Sequence, residues 1–258
     1  MQDKKIYIVL IGIIIIFFVV AFFFLDFPSI KEKKLDLTII VDNHATFQYY
    51  GQKWKSINSE KQELNWNQFD VYLDGQKYGN YYLWWGDDSW QAFDDKKDPV
   101  QLEGQLLAYT SNYDIEVAPL QESSITDTSY IANVLKNHNI SLSSKLTSSS
   151  KISLDFDKDG VVEDFYAISN AFSLNDKPNV VFSFAFMVKN QSIYMIYEDV
   201  RQDSFLAACK PYFSGFLDVN KDKKYEIILS CGKYSMQEPL AILYHFTNNG
   251  FEVLASNE

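Results

Sequence analysis

The chain lacks the short signatures that mark common enzyme classes: H-E-x-x-H, G-x-S-x-G, G-x-G-x-x-G, a phosphate loop and C-x-x-C are all missing. Histidine is scarce, and His44, His138 and His245 are scattered, each reading as a surface or core residue rather than a ligand or base. Basic residues are short as well: 23 Lys and Arg stand against 34 Asp and Glu, a formal net charge of -11. Nucleic acid, which needs a basic face, is therefore excluded as a partner. An acidic surface by itself does no more than keep a domain soluble. There are two cysteines, Cys209 and Cys231, so no cysteine near the N-terminus can carry a lipid. The pair is either a disulfide, if the chain is exported, or two buried thiols.

Charge is also absent from residues 6–25, a run of aliphatic and Phe side chains in which only Tyr7 carries a polar group. At about 1.5 Å per residue such a helix spans about 30 Å, one bilayer crossing. A removable signal peptide is the rival, with Lys4 and Lys5 as its positive end and Val19-x-Ala21 as its cleavage rule. The apolar run continues past that point through Leu25, which favours a retained anchor. The expected organisation is a cytosolic tail (1–5), a transmembrane helix (6–25), a juxtamembrane linker (26–36) and an ectodomain outside the cytoplasm. Lys31, Lys33 and Lys34 leave the positive-inside count ambiguous. Orientation rests instead on the short tail and on the acidic loops below, which suit calcium-rich surroundings.

The ectodomain reads as mainly β. Residues 35–41, 69–73, 81–85, 101–109 and 115–117 carry the β-branched and aromatic side chains of strands, with a turn expected over 76–80. One short helix is expected after Asp127 or Thr128, with Tyr130, Ile131, Val134 and Leu135 on one face, ending near Asn137. Residues 141–150, rich in serine, read as a linker. The chain thus divides into a β-rich region (37–122), a helix with its linker (123–150) and a second β region (151–258).

That second region repeats. Asp155-x-Asp157-x-Asp159-Gly160-x-x-Glu163 returns as Asp218-x-Asn220-x-Asp222-Lys223-x-x-Glu226, a constant offset of 63 residues. Each loop leads into a strand (164–169 and 227–231) and then a hairpin, turning at Asn190 in one unit and at Asn248-Asn249-Gly250 in the other. Such units hold about four strands, the size of a propeller blade. Oxygen ligands at alternate positions around a glycine suit Ca²⁺, a hard cation that takes six to eight oxygens.

The pattern D-x-[DN]-x-D-G-x-x-[DE] before an apolar strand resembles the calcium loop of FG-GAP or VCBS-type repeats, the integrin-like β-propeller family, over residues 151–258. The resemblance implies propeller-like blades in which Asp155, Asp157 and Asp159 bind Ca²⁺ through side chains, Val161 through its carbonyl and Glu163 as the closing carboxylate. In the second loop it implies Asp218, Asn220, Asp222, the Lys224 carbonyl and Glu226. Lys223 departs from the pattern where the family has glycine, so weaker binding, or none, is expected there. An EF-hand is disfavoured because Tyr166 would stand where its closing glutamate belongs.

Tyr81, Tyr82, Trp84, Trp85 and Trp90 beside Asp87 and Asp88 suggest a platform for an envelope glycan, although packing explains alternating aromatics as readily. Asp87/Asp88 and Asp94/Asp95 read better as acidic loops than as a glycosidase pair. The expected function is a membrane-anchored binding or scaffold module with calcium-stabilised loops, facing an envelope glycan or protein. A wall-associated hydrolase is the alternative.

Overall fold

The structure, a computed structural model, describes residues 36–42, 45–141, 146–170, 180–202, 209–233 and 240–257. The expected anchor at 6–25 and His44 lie outside them. Among the described residues no helix is long and apolar enough to cross a membrane. Asp36–Glu258 form one compact unit, in which the described residues make three antiparallel sheets and one short α-helix.

The first sheet has eight strands: β1 (Thr38–Val41), β2 (Ala45–Tyr50), β3 (Lys53–Ser56), β4 (Asn67–Leu73), β5 (Gln76–Gly86), β6 (Ser89–Phe93), β7 (Pro99–Val100) and β8 (Leu106–Thr110). Their order is β3-β2-β1-β8-β4-β5-β6-β7, so β8 returns to part β1 from β4. The turn expected over 76–80 lies earlier, at Asp74-Gly75, where both residues take positive φ (51° and 74°) and the chain reverses in two positions. A side chain on Gly75 would collide with the Leu120 backbone nitrogen, so glycine is required there twice over. The strand expected over 101–109 begins only at Leu106, because Gly104 turns at φ 119° against the Asp74 carboxylate.

After β9 (Glu116–Val117) comes the helix α1 (Ser129–Asn137), whose first turn is held by Asp127 Oδ1 accepting from the Ser129 N–H at 2.8 Å. It buries Ile131, Val134 and Leu135, and Asn139 closes it at φ 57°. The second sheet is a four-stranded meander of β10 (Ser148–Leu154), β11 (Glu163–Ser169), β12 (Val180–Lys189) and β13 (Ser192–Gln202). The third repeats it with β14 (Cys209–Asp218), β15 (Glu226–Lys233), β16 (Leu240–Thr247) and β17 (Gly250–Ser256), and adds β9 along β14. Three residues of the presumed serine-rich linker, Ser148, Ser149 and Ser150, belong to β10.

The two meanders stack the same way round. Tyr166 and Ile168 of β11 face the α1 side, while Phe165 and Ala167 join Ile227, Leu229 and Cys231 of β15 in the core between the meanders. Ile228, on the opposite face of β15, packs with Ile39, Phe47 and Leu107 of the first sheet. Helix, second sheet, third sheet and first sheet are thus successive layers. β12 is buried on both faces, which is why Val181 to Val188 read as an almost continuous apolar run rather than an alternation. Cys209 and Cys231 form a disulfide across β14 and β15, with Cα atoms 5.1 Å apart. No closed ring of blades is present among the described residues.

Candidate metal centre

Both acidic loops join the first and second strands of a meander. In loop one, Asp155 accepts from the backbone N–H groups of Asp159 (3.0 Å) and Gly160 (3.0 Å), and Asp159 accepts from Val161 N–H at 2.8 Å. These bonds wind the chain through positive φ at Lys158 (54°) and Gly160 (87°). Ligand oxygens of Asp155, Asp157 and Asp159 come within 4.8 Å of one another, close enough to share one cation. Glu163, fully buried, fixes the loop's start by accepting from Phe156 N–H at 2.9 Å.

One side chain in this centre was not anticipated. Lys189, at the end of β12, puts its ammonium 2.6 Å from Asp157, 3.0 Å from Asp159 and 3.0 Å from Glu163. Burial opposes an ammonium, yet hydrogen bonds to Asp157, Glu163 and Asp159 outweigh it and raise the Lys189 pKa above its ordinary value. The same lysine, followed by the Val161 N–H, holds the Asp159 carboxyl below the usual aspartate range. Lys158, although in the loop, turns away to Glu116 (2.7 Å) and Asp218 (3.2 Å). Three carboxylates, Asp157, Asp159 and Glu163, therefore share a single ammonium, while Asp155 is held by backbone N–H groups.

Loop two has the same backbone, with positive φ at Lys221 (60°) and Lys223 (71°), and the same closing bond, from Val219 N–H to Glu226 at 3.0 Å. Asp222 accepts from Lys224 N–H at 2.8 Å, as Asp159 does from Val161. Its charges are arranged otherwise. Asp218 faces Lys158 of loop one, and Asn220 donates to Glu226 at 3.2 Å. His245 Nδ1 lies 2.9 Å from the same carboxylate. Burial pushes the Glu226 carboxyl up, and the Val219 N–H and His245 offset only part of that. Asp218, Asp222 and Glu226 do not gather as the loop-one aspartates do.

Lys189 and His245 are structural equivalents. Asp164 pairs with Val188 and Ile227 with Tyr244, so the residues opposite Glu163 and Glu226 are Lys189 and His245. The constant sequence offset does not align them, because the first meander is longer between its second and third strands; only the pairing register does. The cue available in sequence was a basic residue at the end of each third strand, and it is weak.

The donor set of loop one fits a hard divalent cation in charge and oxygen chemistry: Asp155, Asp157 and Asp159 would hold it, with Lys189 as its competitor. Val161 is exposed beside them, whereas Glu163 is committed to Phe156 N–H and Lys189.

The aromatic cluster is partly spent on packing. Trp85 meets Trp90 edge-on at 5.2 Å, Trp90 is buried, and the Lys61 ammonium lies 4.0 Å over Trp85. Asp87 and Asp88 form the β5–β6 turn at positive φ, and Asp94 accepts from the Lys96 and Asp98 N–H groups. Both acidic pairs thus serve turns. Comparison with protein families, curated proteins and solved structures gives no match for this chain.

Proposed function

We propose that the protein is a single-pass, membrane-anchored binding or scaffold module whose β-rich ectodomain lies outside the cytoplasm and whose first acidic loop is stiffened by Ca²⁺. The observation that carries the cation is the gathering of Asp155, Asp157 and Asp159 around a centre supplied with one ammonium. A divalent ion would offset most of the remaining negative charge and couple the loop's order to calcium. The apolar segment 6–25 supplies the tether, and the disulfide agrees with an oxidising compartment. The kinship to FG-GAP or VCBS-type repeats is part of the same proposal. The stacked meanders, each with its acidic loop between first and second strands, are compatible with blade-like units without a closed propeller.

Calorimetry on the full chain in detergent, with calcium or chelator, tests this. Calcium should raise the melting temperature, by an amount equivalent to about 2.7 kcal/mol when it exceeds its dissociation constant a hundredfold. Asp157→Ala should remove most of that gain and Asp222→Ala little. No binding heat and an unchanged melting curve would make loop one an acidic turn closed by Lys189.

A further inference from the structure

The Glu226–His245 pair does more than close loop two, because it forms part of a cleft. The cavity, about 500 Å³, opens between loop two, the β2–β3 hairpin and the end of β17. Leu37, Val219 and Leu254 give it apolar walls, and Tyr49 and Trp54 line one side as a cross-strand pair with ring centroids 5.3 Å apart. Tyr49 is 42% exposed, while Trp54 is half-buried against the core of the first sheet, so the Tyr49 ring is the one of the pair that stays open to solvent. A largely apolar concavity with a few converging polar groups is the usual form of a small-ligand site.

The polar groups narrow the chemistry. Glu226 is engaged at both oxygens: Oε2 accepts from Val219 N–H, and Oε1 from Asn220 Nδ2 and His245. A cationic ligand would find a carboxylate that is buried and already engaged at both oxygens, and an anion would face that same carboxylate. A carboxylate only accepts, so the imidazole donates through Nδ1, and in its neutral form keeps Nε2 as an acceptor. Gln52 on the rim offers an amide that both donates and accepts. What matches is a neutral ligand with an apolar face and hydroxyl donors along its edge.

We propose that this cleft binds a neutral carbohydrate ring, stacked on Tyr49 and Trp54 and hydrogen-bonded at its edge to His245 Nε2. The site is separate from the cation reading of loop one. It also lies outside the Trp84–Trp90 region that the sequence suggests for glycans.

The test is calorimetric titration of the full chain in detergent with cellotriose, maltotriose and the N-acetylglucosamine trisaccharide, run in both chelator and calcium. Saturable binding to at least one of them is expected in both buffers. Trp54→Ala, on the edge strand β3, should weaken it about tenfold, the factor set by loss of one stacking ring. His245→Ala should weaken it comparably, and Trp66→Ala, at an exposed ring that packs on Phe93 of β6 away from this cleft, should not. Should His245→Ala fail to fold, Trp54→Ala decides alone. Absence of binding, or binding indifferent to Trp54→Ala, would each overturn the assignment. Binding only in calcium would overturn the independence of this cleft from loop one.

Discussion

Loops one and two share a backbone and differ in their counterions. Both wind through positive φ at the same two positions, and both end on a buried glutamate that accepts from the second N–H of the loop. In loop one the opposing residue is a lysine that reaches three carboxylates, and the aspartates crowd together around it. In loop two it is a histidine that reaches one, and an asparagine replaces the central aspartate. Lys158 then crosses from loop one to serve Asp218 of loop two. The hydrogen-bonded turn is thus the shared element, and the charge set on it is free to diverge: one copy stays rich in negative charge, while the other turns its glutamate toward an imidazole at the wall of a cleft. Repeat two alone carries the disulfide; the corresponding positions of repeat one hold Leu146 and Ile168 on the α1 side of the core.

The largest effect that can break this contrast comes from the counterions. Lys189→Met leaves Glu163 buried and Asp157 without its ammonium, and removing one partner of a buried pair costs about 3 kcal/mol or more. In chelator the full chain should lose that much in urea denaturation, and calcium should return part of it by entering a site freed of its competitor. His245→Phe in repeat two should cost less and respond to calcium no differently from the parent protein. Equal losses in both repeats, or a Lys189→Met chain indifferent to calcium, would remove the distinction between the loops.

A smaller effect sharpens the shared half of the comparison. Gly160 and Lys223 occupy one conformation, and a Cβ on Gly160 would meet nothing within 4 Å, so only its φ of 87° resists a side chain. Gly160→Ala should therefore cost about 1 kcal/mol. Lys223→Gly should gain about 0.5 kcal/mol, since relief of the left-handed strain exceeds the added freedom of the unfolded chain. Changes of the same sign in the two urea midpoints would mean that the loops do not share a backbone.

Sequence reasoning reached the elements whose signals are local. The four-strand units, the Asn190 and Asn248-Asn249 turns, the helix face at Ile131, Val134 and Leu135 and the hydrogen-bonding loops all follow from patterns within about ten residues. What it missed depends on register between distant strands. Lys189 and His245 become equivalent only through the pairing of β11 with β12 and β15 with β16. The return of β8 between β1 and β4, and the joining of β9 to β14, are likewise non-local. The β2–β3 hairpin was overlooked because Lys53-Trp54-Lys55-Ser56, an edge strand with alternating exposure, carries too little apolar pattern. That omission hid the cleft, since Tyr49, Gln52 and Trp54 all belong to this hairpin.

The smallest effect is one of sign. Asp159 in loop one has its pKa lowered, by Lys189 first and the Val161 N–H second, so its contribution to stability is present above the unfolded aspartate value and disappears as pH falls through its folded value. Glu226 in loop two has its pKa raised by burial, so its contribution is present below the unfolded glutamate value and is lost as pH rises through its folded value. Between about pH 3 and pH 6, in chelator, the advantage of the parent chain over Asp159→Asn should grow with pH, while its advantage over Glu226→Gln should shrink. Urea midpoints across that window measure both. Repeating the Glu226→Gln comparison in a His245→Phe background removes the imidazole's own titration from the difference. Two slopes of the same sign would show that Glu226 is held as an ordinary ion-paired carboxylate, and that the two closing sites differ less than their counterions suggest.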